Sequence, residues 1–452
     1  MSKIYKNSFS YIISKLYIVW SFRKYFSEVI ITGLENIPEN EAVIYAPNHR
    51  NALMDALAIL SLPPFKTPKI FLARADLFHL HRLIVKFIQW TKIMPAYRIR
   101  DGYDNLAKNQ ESFVAADEVL LNNAAMCIMP EGNQELEHRV RPLVKGIFRI
   151  ALSAQQKLPI GKSVYILPIG LNYGDIIKQG KHLIINIGKP IAVSEYIDEY
   201  LQNPASTINN IKERLSKELE QLSLHISSKE NYEIFEDIVQ IVNEDVVQWM
   251  ELEKTTINLF KARQKTVQIL DKSEIVNPEK IDILNKLSRR YKDLLQNNNL
   301  PFTAFNRLVP SRRQSISNSL KITVLSILAI PGIILNLLPY TITSQIPKWM
   351  KIEFKGFYSS VYYVGGIILF PLFYILQGIA LTSASGLPLI YVFIFLIAQY
   401  YIGKCTMYFV HRIKIQYNQL RFYHLYRKKT EEFEELQSLK VSILHELRSL
   451  FD

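Results

Sequence analysis

From Val29 to about residue 190, short runs of β-branched and aliphatic residues alternate with stretches of helical period. Val29–Thr32, Ala42–Ala46, Ile70–Leu72, Ala125–Met129, Val164–Ile169 and Leu183–Ile187 have the length of buried strands. Between them, His81–Trp90 and Leu106–Leu121 repeat apolar positions every three or four residues. The alternation predicts an α/β domain over residues 28–193, a sheet covered by helices. Ahead of it, Tyr11–Phe26 is apolar but interspersed with Lys15, Arg23 and Lys24. That is too short and too charged to span a bilayer, so residues 1–27 are read as an amphipathic helix, lying in the interface or packed on the domain.

The pattern then changes. Residues 194–315 are rich in Lys, Glu, Gln and Asn around apolar positions such as Ile208, Ile211, Leu215, Leu219 and Leu222, which predicts a helical region. Residues 316–406 are the membrane region: Ile322–Tyr340 and Val361–Ile402 contain no Asp or Glu and no Lys or Arg. Pro331-Gly332, Asn336 and Pro339 interrupt the first of these, which predicts a broken, re-entrant hairpin. Two spans, Tyr358–Thr382 and Leu387–Gly403, follow. This arrangement leaves every basic flank on the cytoplasmic side together with the α/β domain. Residues 407–452 read as a charged C-terminal helix with apolar positions at Leu420, Tyr423, Leu436, Leu439, Ile443 and Leu447, available for self-association or for packing as a lid.

The net charge of +13 is compatible with nucleic acid or an anionic membrane surface as partner, and the apolar segments favour membrane lipid. No helix-turn-helix, zinc-finger or base-stacking pattern supports a nucleic-acid partner. Cys127 and Cys405 are too few for a disulfide framework, which fits a reducing compartment. The N-terminus lacks the pattern of a cleaved signal peptide.

The candidate chemistry lies after the second strand, in Ala46-Pro47-Asn48-His49-Arg50-Asn51-Ala52-Leu53-Met54-Asp55. Acyl transfer to an alcohol needs a neutral imidazole to take the hydroxyl proton and a carboxylate to orient it. On one regular helix His49 and Asp55 would point roughly 120° apart. His49 is therefore placed in the strand-to-helix turn, Asn51 as the helix cap and Asp55 on the first helical turns.

Three further blocks follow in order: Lys92-Ile93-Met94-Pro95-Ala96-Tyr97-Arg98, Cys127-Ile128-Met129-Pro130-Glu131-Gly132-Asn133-Gln134, and Val164-Tyr165-Ile166-Leu167-Pro168-Ile169-Gly170. With the His…Asp pair they span Glu28–Ile191, and the whole resembles the glycerolipid acyltransferase family of glycerol-3-phosphate and 1-acylglycerol-3-phosphate acyltransferases. The five residues between His49 and Asp55 are similar to the fungal glycerol-3-phosphate branch. The resemblance implies His49 as base and Asp55 as its partner, with Asn48, Arg98, Glu131 and Gly132 at the acceptor. The family's third block usually ends in Arg where this chain has Gln134, and Arg139, Arg141 and Lys145, ahead of a helix N-terminus, are the replacements for that cation.

The expectation is a multi-pass membrane O-acyltransferase of phospholipid biosynthesis. It would move an acyl group from acyl-CoA or acyl carrier protein to glycerol-3-phosphate or its 1-acyl derivative, with no metal or other cofactor. An amino-acid-type lyso-lipid acceptor and a catalytically silent adaptor of the same fold are the alternatives. A metallohydrolase would need a second ligand cluster, and the sequence offers none at suitable spacing.

Overall fold

The computed structural model describes residues 4–79, 81–96, 106–302, 304–305, 312–428 and 431–451. It divides into two compact units: Met1–His225 with Ile352–Tyr363, and Ile226–Lys351 with Val364–Asp452.

The first unit opens with helix α1 (Phe9–Tyr25), then β1 (Glu28–Thr32), β2 (Ala42–Pro47), α2 (Ala52–Leu60), β3 (Lys69–Arg74), α3 (Arg82–Trp90) and β4 (Ile93–Ala96). It continues with α4 (Leu106–Leu121), β5 (Ala125–Cys127), α5 (Gly146–Gln155), β6 (Val164–Tyr173), β7 (His182–Ile187), β8 (Ile191–Ala192), α6 (Ile197–Gln202) and α7 (Pro204–Leu222). The sheet order is β1-β7-β6-β2-β5-β3-β4, with β8 beside β6. β2 runs parallel to both β5 and β6, whereas β7 and β8 are antiparallel to β6. Every residue of β2 is buried, as a central strand covered on both faces requires.

β4 and β8 escaped the sequence pattern, and β6 is longer than it predicted. β4 coincides with the second block, where Met94-Pro95 masks the strand signal. β6 runs past Ile169 to Tyr173, because Gly170 and Asn172, which look like breakers, meet the end of α7. A Cβ on Gly170 would stand 2.1 Å from the Leu222 carbonyl oxygen, and Asn172 Nδ2 donates to that same oxygen at 3.0 Å. Gly170→Ala is expected to destabilise the protein by about 1–3 kcal/mol, the usual cost of overpacking, measured as a lowered thermal midpoint in detergent.

α1 is bound to the loop after α2 by side chains that cap its carbonyls. Arg23 donates to Ser61 O (3.1 Å), Lys15 Nζ to Phe65 O (2.9 Å) and Asn7 Nδ2 to Lys66 O (2.8 Å). From the sheet, Lys69 Nζ donates to Leu62 O at 2.7 Å, and burial lowers the Lys69 amine to about 7. Tyr11, Phe22 and Tyr25 face the domain, while Phe9, Ile13 and Leu16 are exposed, so α1 is apolar on both sides rather than amphipathic. α7 also belongs to this unit: Ile208, Ile211, Leu215 and Leu219 enter the main core, which moves the end of the domain beyond residue 193.

The second unit contains α8 (Tyr232–Trp249), α9 (Thr256–Val276), α10 (Pro278–Asn297), α11 (Arg312–Trp349), most of α12 (Tyr358–Ser385), α13 (Tyr391–Lys428) and α14 (Glu431–Phe451). α11, α12 and α13 are long and apolar enough to cross a membrane. α11 stays helical through Pro331 and Pro339, the positions expected to break it. The carbonyl of Leu335, which loses its donor four residues on to Pro339, is re-satisfied by Gln377 Nε2 of α12 at 2.8 Å. The expected boundary at residue 407 falls inside α13, and a separate helix begins at Glu431. α14 buries Leu436, Ile443 and Leu447 within the chain and pairs Glu435 with Arg290 against α10.

Candidate active site

Parallel strands place the following turns at one end of the sheet, where open α/β sheets bind ligands. His49 lies in the turn after β2 and Asp55 on the first turn of α2, and His49 Nδ1 is 2.9 Å from Asp55 Oδ2. Asp55 is fully buried and the His49 side chain is 18% exposed, so the pair is reached from the His49 side. The same Oδ2 accepts the backbone N–H groups of Arg50 and Asn51, each at 2.8 Å. With Nδ1–H directed to the carboxylate, Nε2 carries the lone pair that a general base needs.

Asp55 Oδ1 accepts the Tyr173 hydroxyl at 2.6 Å. Burial, then the neighbouring carboxylate, hold that hydroxyl well above its ordinary pKa, so it remains a donor. Tyr173 was not foreseen from the sequence, since nothing in the residues around it points to Asp55, 118 positions away. A carboxylate whose oxygens are committed to these donors is poorly suited to bind a metal ion.

The third block clamps the catalytic turn. Glu131 Oε1 accepts His49 N–H at 2.9 Å, and Oε2 accepts Arg141 Nε at 2.8 Å. Burial pushes the Glu131 carboxyl up, and the His49 N–H and Arg141 oppose it. Arg141 also reaches the His49 carbonyl at 3.4 Å and Glu135 at 3.5 Å. Gly132 adopts φ +69 in the turn closed by its N–H to Met129 O, a conformation that favours glycine. Gln134, standing in the place of the family's arginine, accepts Ala52 N–H at 2.7 Å and supports the start of α2.

Several expected roles change. Asn48 exchanges hydrogen bonds with Leu171, through Oδ1 at 2.6 Å and Nδ2 at 3.3 Å, so its amide extends the sheet rather than facing an acceptor. Asn51 holds the N-cap position of α2 without a side-chain cap, because its amide turns to Ile176 O and to Ser359. Arg141 is bound to Glu131, which makes it a brace of the turn. Arg139 lies 3.8 Å from Glu137, and Lys145 is exposed at the N-cap of α5. Arg98 lies outside the described residues. Arg50, overlooked in the sequence, is buried beside the pair and bonds His138 Nδ1 at 2.7 Å.

Residues 28–172 match the sequence model of the Acyltransferase family. The chain is 26% identical over 230 residues to glycerol-3-phosphate O-acyltransferase 1 of Saccharomyces cerevisiae, covering 48% of this chain and 29% of that protein. It is 27% identical over 193 residues to the chloroplastic 1-acyl-sn-glycerol-3-phosphate acyltransferase LPAT1 of Arabidopsis thaliana, covering 41% and 47%. The matched part thus spans less than half the length of these relatives. A solved structure, the 1-acyl-sn-glycerophosphate (LPA) acyltransferase PlsC of Thermotoga maritima, aligns with 19% identity over 46% of this chain and 82% of that one, with a TM-score of 0.30. The His…Asp pair, the Pro-Glu-Gly turn and the sheet that joins them therefore make residues 28–172 of this chain a domain of the acyltransferase family.

Proposed function

We propose that the protein is a membrane-bound O-acyltransferase that transfers a fatty acyl group from a thioester, on coenzyme A or acyl carrier protein, to glycerol-3-phosphate or 1-acylglycerol-3-phosphate. The single observation that carries this reading is the buried Asp55 bonded to Nδ1 of a partly exposed His49. His49 Nε2 takes the proton of the acceptor hydroxyl as its oxygen attacks the thioester carbonyl. The tetrahedral intermediate then expels the thiolate, which recovers the proton from His49. Asp55 holds the ring in one tautomer and stabilises the cation between these two transfers.

The acceptor class is tested by incubating detergent-solubilised protein with one labelled acyl thioester and a panel of hydroxyl acceptors. Transfer to glycerol-3-phosphate or its 1-acyl derivative is expected. Transfer only to a lyso-lipid with an amino-acid head group would overturn the acceptor assignment while keeping the reaction, an outcome that Gln134 in place of the family's arginine makes specific to this chain.

The reading also places the enzyme on the cytoplasmic side with two crossings, α12 and α13. Support comes from how α11 packs. Its first half runs antiparallel to the later part of α13, with Ser319 against Gln416 and Gly332 against Ile402 and Thr406. Its second half runs antiparallel to the early part of α12, with Asn336 against Tyr374 and Thr343 against Gly365. α12 and α13 are antiparallel to each other, with Gln377 against Gln399 and Tyr374 against Gly403, which supports a path of α11 whose two ends face the same side. In intact cells lacking the native cysteines, an impermeant reagent is expected to label Ser385→Cys and to spare Ser317→Cys, Met350→Cys and Ser438→Cys. Labelling of one of Ser317→Cys and Met350→Cys but not the other would make α11 a third crossing.

A further inference from the structure

We infer that the first turn of α12, far outside the family-matched residues, belongs to the catalytic site, with Ser359 acting as a positioning residue for the His49–Asp55 pair. The inference rests on that pair being the catalytic one.

Ser359 is fully buried, and its Oγ donates to Asn51 Oδ1 at 2.5 Å across 308 positions of sequence. Asn51 is the pivot of the catalytic turn. Its backbone N–H is one of the donors on Asp55 Oδ2, and its Nδ2 donates to Ile176 O at 3.0 Å. With Ser359 on one end of the amide and Ile176 on the other, the side chain has a single orientation. The next residue, Ala52, sits at φ +36, in the left-handed region that a non-glycine residue occupies only when its surroundings hold it there. Gln134 holds the Ala52 N–H, Asp55 holds the Asn51 N–H, and Ser359 holds the Asn51 side chain. Without Ser359, a buried amide oxygen next to a strained backbone loses its donor, and the turn gains a reason to relax.

A second anchor keeps the segment in register. Tyr363, one turn further along α12, donates its hydroxyl to Ile18 O at 2.9 Å and bonds Ser21 Oγ at 2.6 Å on α1. Its ring meets the edges of Phe22 and Tyr25 at centroid distances of 6.4 and 5.8 Å. Ile352–Tyr363 accordingly packs as part of the catalytic unit although the helix it opens is one of the apolar ones. The geometry of the base is thereby set by the beginning of a membrane helix, through a hydrogen bond to the residue between His49 and Asp55.

The test uses the full chain in lipid nanodiscs, with Ser359→Ala, Asn51→Ala and the double variant. Ser359→Ala is expected to lower kcat roughly ten- to a hundredfold, the scale of a small misplacement of a catalytic group, with the KM of both substrates within about twofold. The double variant should be no slower than Asn51→Ala alone, because one contact cannot be lost twice. Hydrogen exchange supplies a readout that needs no turnover: the peptide covering Asn48–Asp55 should exchange faster in Ser359→Ala, while one within Ile166–Tyr173 is unchanged. Wild-type kcat and wild-type exchange in Ser359→Ala would overturn the inference, as would fully additive effects or an exchange increase that spreads to β6. If the unaltered protein transfers no acyl group to any acceptor, the enzymatic reading fails instead, and the exchange comparison alone decides whether Ser359 orders the turn.

Discussion

His49→Ala is expected to reduce acyl transfer by about 10²- to 10⁴-fold, the range typical of a lost general base, while the protein still inserts in the membrane and melts near the parent temperature. The structural reason for an intact fold is that the His49 side chain is partly exposed, whereas its backbone carries the contacts that shape the turn: its N–H to Glu131 and its carbonyl to Arg141. Those contacts survive truncation at Cβ. Initial rates with a labelled acyl thioester, beside a thermal melt of the same preparation, check both halves. Turnover within a few-fold of the parent would remove His49 as the base.

Asp55→Asn should be comparably damaging to turnover, about 10³- to 10⁴-fold by analogy with other His–carboxylate pairs, and similarly gentle to the fold. The amide oxygen can occupy the Oδ2 position and keep the Arg50 and Asn51 N–H groups, which cap the start of α2. The amide nitrogen then faces Tyr173, whose hydroxyl can rotate to accept. What the change removes is the negative charge that stabilises an imidazolium, and that charge is needed only during turnover. Asp55→Ala would instead leave these donors without a partner in a buried site and should also unfold more readily. A fully active Asp55→Asn would take Asp55 out of the chemistry.

The parts of the molecule that were legible in advance are those whose physics is local. Alternating β-rich and helical periods marked β1, β2, β6 and β7 and the helices between them, because burying one face of an element imposes its period on consecutive residues. The ordered blocks placed His49 and Glu131 in turns and Asp55 at the start of a helix for the same reason, since each block follows a strand pattern. Boundaries were missed where a residue that looks like a breaker is used by a distant partner. Gly170 and Asn172 prolong β6 because Leu222 comes to meet them, and Ala52 keeps a left-handed backbone because Gln134 supports it.

The sequence by itself therefore determined that a sheet-and-helix domain carries a His…Asp pair ahead of long apolar helices. Only the tertiary structure decided what each polar side chain at the site is for: Tyr173 on Asp55, Glu131 between His49 and Arg141, Asn48 paired with Leu171, and Ser359 behind Asn51. Those hydrogen bonds join residues from 10 to 308 positions apart. A hydrogen bond between distant residues constrains two points in space without imposing any period on the residues around them, so it leaves no trace in the pattern along the chain.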